Sequence, residues 1–434
     1  MPNRNWTLIS IPLLALSLVW FGSLGSSAAY LSASVPANAG VNTGVTAPGL
    51  DDQDLVKMRE AGIRYTRFDL LWHEVEKAKG RYDWARFDRV IAHLKRYGIA
   101  PILILDYNNK LYDPDSGGIR TDEARDGYAN FAAAAVARYK NQIDGIVWEI
   151  WNEPNSNDFW EPKRNAEEYM ALLKRAVPAM RKADPMATII SGGVLELSWS
   201  VTKAYLERCF QLGLLARVDG LGVHLYGGRS NIHPERIIQE LDELRRRFVA
   251  HGVRADFPIL NTEFGAKLTE YPDSKQETQE LEHAKTYVRM YLLCLLEQVR
   301  LNIWYEWRWK EGFSGHAILN SDGSPRAAYT AIANLTDQLN GYSFTMRIDE
   351  FGKDDFVVVF KNGTQRKLVV WTAGDAHWVS VGVTAAGNSL SASSMMGKSG
   401  SIHVDTDAFS VRLTGSPLYI DIGAATVRTR DAPP

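Results

Sequence analysis

The sequence predicts an α/β fold, a (β/α)8 TIM barrel followed by a small C-terminal β-sandwich, and three observations carry that expectation. Between Gly40 and about Asn340, short β-branched or apolar runs alternate with longer amphipathic ones, the rhythm of parallel strands joined by crossover helices. Two of the short runs end in a glutamate, where a barrel presents its working side chains. After about Gly341 the helical texture stops, and β-rich runs separated by Gly, Asn, Ser and Asp take over.

The expected strands are Gly40 to Val45, Ile63 to Leu70, Ile99 to Asp106, Asp144 to Trp151, Ala187 to Gly192, Val218 to Leu225, Pro258 to Phe264 and Leu301 to Trp307. Eight strands are what a closed barrel needs. Helical patterns fall between and after them: Asp51 to Ala61, Trp84 to Tyr97, Gly127 to Lys140, Ala166 to Ala183, Val201 to Leu212, Pro234 to His251, Gln276 to Val299 and Pro325 to Leu339. Pro or Asp near several starts and Gly after several ends agree with helix boundaries. A doubly wound open sheet is the rival, but no GxGxxG or GxxxxGK turn follows an early strand. The later runs DFVVVF, KLVVWTA, HWVSVGV, SIHVD, FSVRLT and PLYIDI predict about six sandwich strands, with Ser389 to Ser394 read as a Ser-rich turn. The expected units are thus residues 1–29 as a leader, 40–340 as the barrel and 341–426 as the β-sandwich.

Composition narrows the partners. A chain of 434 residues, 45% hydrophobic and 23% charged, must bury a large core and is neither disordered nor a disulfide-stapled mini-fold. Forty-nine Lys and Arg against 51 Asp and Glu give a net charge of −2 without long single-sign blocks, so a nucleic-acid partner has no electrostatic footprint. Cys209 and Cys294, the two cysteines, lie in apolar helical runs and read as core thiols, and no metal-ligand spacing is present. At the N-terminus, Arg4 precedes an uncharged apolar run from Leu8 to Phe21 and then small residues from Gly22 to Ala29, the order of parts in a signal peptide. Export is expected, with cleavage near Ala28 or Ala29. The same segment meets the length of about 20 residues needed to stay as an inner-membrane anchor.

The sharpest chemical signal is Trp148-Glu149-Ile150-Trp151-Asn152-Glu153-Pro154-Asn155, an apolar fourth strand ending in an amide, a carboxylate and a strand-stopping proline. The second is Pro258-Ile259-Leu260-Asn261-Thr262-Glu263-Phe264-Gly265, an apolar seventh strand ending in Glu and Gly. Two carboxylates delivered to one rim are what glycosidic-bond cleavage needs, one to protonate the leaving oxygen and one to attack or support the anomeric carbon.

These WNEPN and TEFG motifs resemble the acid/base and nucleophile signatures of the clan A retaining glycoside hydrolases, and the layout is most similar to family 39. Within it, the leader, barrel and β-domain resemble hydrolases of Psl-type biofilm exopolysaccharide. The resemblance spans about residues 40 to 425. It implies Glu153 as acid/base, Glu263 as nucleophile and Asn152 as partner of the sugar 2-hydroxyl. It further implies Arg67 of YTRFD beside the nucleophile, Tyr226 bonded to Glu263, His224 beside the sugar, and Trp307 as floor of the subsite for the cleaved sugar.

Bland readings stand beside these. Arg67 could pair with Asp69 or Glu149, and Trp304 or Trp309 could take the place of Trp307 or wedge the barrel against the β-domain. Trp72, Tyr107, Asn108, Trp160 and Trp199 are candidates for further sugar platforms, with plain packing as the alternative. Glu149, two residues deeper than a rim residue, fits a buried cation better than proton transfer. The charged run Glu240 to Arg247 reads as a solvated helix face. The expected activity is a secreted, cofactor-independent retaining glycosidase acting on a polysaccharide, endo-acting on a bacterial exopolysaccharide. The alternatives are a non-hydrolytic glycan-binding partner of exopolysaccharide assembly proteins, or a transglycosylase.

Overall fold

The computed structural model describes residues 34–44, 49–114, 117–226, 233–271, 275–308, 315–384 and 387–428; the expected leader lies outside them. Eight parallel strands form the barrel: β1 (Ala39–Asn42), β2 (Tyr65–Leu71), β3 (Ala100–Asp106), β4 (Val147–Ile150), β5 (Thr188–Ser191), β6 (Leu221–His224), β7 (Ile259–Phe264) and β8 (Asn302–Trp304). Their order in the sheet is β5-β4-β3-β2-β1-β8-β7-β6. The ring closes between β5 and β6 through a bridge of Ile190 to Gly220.

The crossover helices are α1 (Asp52–Glu60), α2 (Ala85–Tyr97), α3 (Asp122–Tyr139), α4 (Ala166–Ala183), α5 (Ser200–Gln211), α6 (Ile237–Ala250), α7 (Gln276–Leu296) and α8 (Ala327–Gln338). Local chemistry sets their ends. Asp51 and Asp54 form a reciprocal capping box on α1, Thr121 caps α3, and Asn165 caps α4. Gly98 ends α2 at φ 61°, a left-handed conformation that glycine adopts without steric cost. The third helix therefore starts at the Thr121 cap rather than at Gly127, which sits inside it where the Tyr112 ring leaves no room for a side chain.

Inside the barrel, Tyr65, Ile102, Val147, Ile190, Leu260, Leu301 and Ile303 fill the lower interior. This apolar plug makes the barrel a packed core rather than a pore and leaves only its upper end for polar groups.

Residues after Gly341 form two antiparallel sheets. The larger comprises β9 (Ser343–Arg347), β10 (Asp355–Asn362), β11 (Gln365–Thr372), β13 (Ser389–Ser394), β14 (Ser399–His403) and β16 (Leu418–Gly423); the smaller comprises β12 (His377–Thr384), β15 (Ala408–Leu413) and β17 (Thr426–Val427). The Ser-rich segment is thus a strand, not a turn. Ser389 and Ser391 are exposed, Ser393 is buried with its hydroxyl on Asn334, and Leu390 packs into the sandwich core; pairing to β14 and β16 overrides the weak local propensity of serine. One face of the large sheet packs on the barrel through Phe356, Phe360, Val369 and Trp371; the other meets the small sheet through Val357, Val359, Leu368 and Val370. Buried Arg289 of α7 bonds Glu235 at 2.7 Å, and Trp371 donates to the same carboxylate at 3.3 Å, fixing the sandwich to the barrel wall.

Candidate active site

Above the apolar plug lies a charged layer. Arg67 of β2 is buried and donates through Nε to Glu149 at 2.7 Å and through Nη1 to Glu263 at 2.9 Å. Glu149 also accepts from the Gly193 amide at 2.8 Å and from the Thr262 hydroxyl at 3.0 Å. It is fully satisfied as a buried anion. Arg67 therefore fills both roles weighed for it, a structural pair below and a cationic neighbour of a rim carboxylate above.

The WNEPN segment leaves its strand in an unusual conformation. Trp151 (φ 73°) and Glu153 (φ 45°) both occupy the left-handed region, which costs non-glycine residues on the order of 1–3 kcal/mol each and persists only where surroundings enforce it. Here the Glu153 amide donates to Gly193 O at 3.1 Å and the Trp151 indole to Phe159 O at 3.0 Å. Asn155 bonds the backbone of Leu195 in both directions and Thr202 Oγ1, so the last residue of the motif ties the turn down. Asn152 Oδ1 accepts from Arg67 at 2.9 Å, which orients its amide NH2.

Glu263 reaches the same place by a different device. Register slips between Asn261 and Glu263 against β6 and between Asn261 and Phe264 against β8, a β-bulge that lets Thr262 and Glu263 both face the interior. Glu263 accepts from Arg67, from the Tyr226 hydroxyl and, at 3.4 Å, from Asn42 Nδ2 of β1. Burial pushes its carboxyl up, but the charges of His224 and Arg67 and the Tyr226 hydrogen bond outweigh it, leaving it below the usual carboxylate range.

His224 of β6 is buried, with Nδ1 2.7 Å from Glu153 Oε1 and Nε2 3.4 Å from Arg67. One oxygen of Glu153, one of Glu263 and a ring nitrogen of His224 all lie within 4.8 Å of one another. That spacing would also suit a cation. Arg67 already supplies Glu263 with its positive partner, however, and the imidazole is engaged by Glu153.

The structure thus brings Arg67, Asn152, Glu153, His224, Tyr226 and Glu263 together, but not Trp307. Its ring is only 2% exposed, its indole donates to Asp54 at 3.0 Å, and its edge meets Tyr329, so the expectation that it floors a sugar site is corrected. The aromatic side chain of this segment on the carboxylate side is Tyr305, half-buried, whose hydroxyl is pushed up by burial and by the Glu263 charge. Trp304 is buried and stacks on Tyr291; Trp72 and Trp160 are also fully buried. Of the proposed platforms, Trp199 is the most open, at 42% exposed.

Sequence reasoning missed Asn42, Gly193, Thr262 and His316. Burial and nearby Lys267 push the His316 imidazole down to about 4, against an opposing pull from Glu263, so it is neutral at ordinary pH. A Cβ on Gly265 would stand 2.5 Å from Tyr305 O and 3.0 Å from His316 Cδ2, which explains the glycine after the seventh-strand glutamate.

A closed barrel whose fourth and seventh strands deliver two close carboxylates is the site layout of the clan A glycoside hydrolases. Residues 32–295, well over half of the chain, match the family model described as Cellulase (glycosyl hydrolase family 5), and the chain belongs to that family. It is 21% identical over 325 residues to a β-xylosidase of Caldicellulosiruptor saccharolyticus, a match covering 67% of this chain and 63% of that relative. A family 39 glycoside hydrolase from Bacteroides cellulosilyticus WH2 shares the fold at a TM-score of 0.75 and 23% identity, over 90% of this chain and 81% of that one. A monomeric β-xylosidase from Caulobacter crescentus CB15 gives 0.64 at 14% identity, over 89% and 96%. The clan A resemblance read from WNEPN and TEFG therefore stands, with family 39 enzymes among the structures that share the architecture.

Proposed function

We propose that this protein is an exported retaining glycosidase that cleaves within a polysaccharide, with a bacterial exopolysaccharide as its substrate class. One observation carries the mechanism: carboxylate oxygens of Glu153 and Glu263 lie within 4.8 Å of each other. Retaining enzymes hold these carboxyls about 5–5.5 Å apart, whereas inverting ones leave about 6.5–9.5 Å for a water.

Glu263, kept ionised by Arg67 and Tyr226, attacks the anomeric carbon while Glu153 gives its proton to the departing glycosidic oxygen. Forming the glycosyl ester removes the charge on Glu263, and Glu153, now a carboxylate, takes a proton from the incoming water. Asn152, oriented by Arg67, presents an N–H to the neighbouring sugar hydroxyl. Support for a polymeric substrate comes from the open Trp199 on the rim. Export and retention at the membrane rest on the apolar run before Ala29; work beside exopolysaccharide assembly proteins rests on the resemblance of the layout to exopolysaccharide hydrolases.

The test is the stereochemistry of the first-formed sugar, read by NMR on an aryl glycoside, together with two variants. Retention is expected, with Glu263→Ala inactive and Glu153→Ala inactive but partly rescued by azide. Inversion, or full activity in either variant, overturns the reading. Sizing of products from a panel of bacterial exopolysaccharides then reports substrate and chain-end preference.

A further inference from the structure

We propose that the outer face of the small sheet is a second glycan-binding surface, centred on Trp378, for a neutral polysaccharide chain; this rests on the reading of the protein as a polysaccharide glycosidase. Much of the sandwich's large sheet is covered by the barrel on one side and by the small sheet on the other, while the outer side of β12 and β15 faces water and adjoins exposed edge strand β14. On that side Trp378 is 69% exposed, the most exposed large apolar side chain among the described residues.

Nothing in packing requires it. Trp371 of the same domain is fully buried with its indole bonded to Glu235, whereas the Trp378 indole has no hydrogen-bond partner among the described residues. Strand pairing surrounds the ring with polar groups: Trp378 lies opposite Arg412, and Ser380 opposite Ser410. A groove of about 660 Å³ runs beside them to Ser401 and His403 on β14, the edge strand of the large sheet. Its size falls within the range of about 300–1,000 Å³ typical of ligand sites.

The chemistry selects a sugar. A flat indole covers the C–H face of a pyranose, while hydroxyls, an imidazole and a guanidinium at its margin meet equatorial hydroxyls. Arg412 and Asp405 give the groove both signs of charge, which favours a neutral chain over a polyanion. Tethering the polymer here raises its local concentration at the cleft without touching the chemistry.

The test uses the full chain carrying Glu263→Gln, so that polymer is not consumed, run in native gels containing xylan, galactomannan or mixed-linkage β-glucan. Adding Trp378→Ala is expected to weaken retardation by at least threefold in at least one polymer, with Arg412→Ala acting in the same direction. In the active enzyme, Trp378→Ala is expected to leave aryl-glycoside turnover unchanged. Equal retardation with and without Trp378, or none in any polymer, overturns the proposal, as does conversion of a dimer to a monomer by Trp378→Ala, which would make this face a self-association surface. Absence of aryl-glycoside hydrolysis by the unsubstituted enzyme would instead sink the glycosidase reading.

Discussion

His224 is the partner of Glu153: its Nδ1 stands 2.7 Å from Glu153 Oε1, with the imidazole buried and the carboxylate 8% exposed. The family resemblance put His224 beside the sugar; the structure puts it against the carboxylate of Glu153, the proposed acid. Substituting His224→Ala frees the Glu153 side chain to rotate, so proton delivery suffers, while Glu263 loses the His224 charge but keeps Arg67 and Tyr226. A fall in kcat of about 10²-fold is expected for aryl glycosides with poor leaving groups, since that is the scale of general acid catalysis, with a smaller fall for activated ones. Rates across a leaving-group series measure it. An equal loss at every leaving group would show that His224 does not act through Glu153.

The Tyr226 hydroxyl donates to Glu263 Oε1 and favours the charged carboxylate. Removing it in Tyr226→Phe takes away that preference, so the Glu263 pKa rises. Because attack needs the ionised form, the acidic limb of the kcat/KM profile is expected to move toward neutral pH. Stability follows the same sign. A carboxyl lowered by folding contributes stability above its unfolded pKa and loses it as pH falls through the folded value, so Tyr226→Phe narrows that acid window. Melting temperatures from pH 3 to 6 and the rate profile report the two effects separately, and unmoved limbs in both would remove Tyr226 from this role.

Arg67 is expected to couple stability to catalysis. Arg67→Met leaves Glu149 without its cation inside the barrel, and breaking a buried pair on one side costs about 3–5 kcal/mol. Glu149→Gln in the same chain should recover part of that loss, because the remaining amide needs no counter-charge. Activity should not return, since Glu263 still lacks its partner. Urea unfolding of the single and double variants yields the coupling; strictly additive losses would mean that the pair is energetically idle.

The barrel was legible because each of its strands is a short apolar run bounded by turn residues, and the two motif glutamates could be found from strand position alone. Side-chain direction was less so. Strict alternation puts Thr262 and Glu263 on opposite faces, and only the bulge in β7 turns both inward. Trp307 misled for a related reason: a row of indoles at a strand end looks like a sugar platform, but nothing local reveals that Asp54, more than 250 positions earlier, accepts its N–H. Asn42 and Gly193 gave no signal, because an amide and a glycine outside a motif acquire roles only through distant partners.

Gly193 donates its amide to Glu149, accepts the Glu153 amide at its carbonyl, and lies against the His224 ring. A Cβ there would stand 2.2 Å from His224 Nε2 and 2.6 Å from Thr262 Oγ1. Neither neighbour can yield cheaply, because His224 is held by Glu153 and Arg67, and Thr262 by Glu149. Gly193→Ala should therefore displace the acid and its partner together, lowering kcat at least about 100-fold, the loss expected when reacting groups move by about 1 Å. Gly252 provides the control. It has φ 73° with nothing within 4 Å of its added Cβ, so Gly252→Ala meets backbone strain alone, costing about 1–2 kcal/mol with kcat intact. Kinetics and chemical denaturation of the two variants separate the cases: a Gly193→Ala enzyme with normal turnover would show that His224 does not position Glu153.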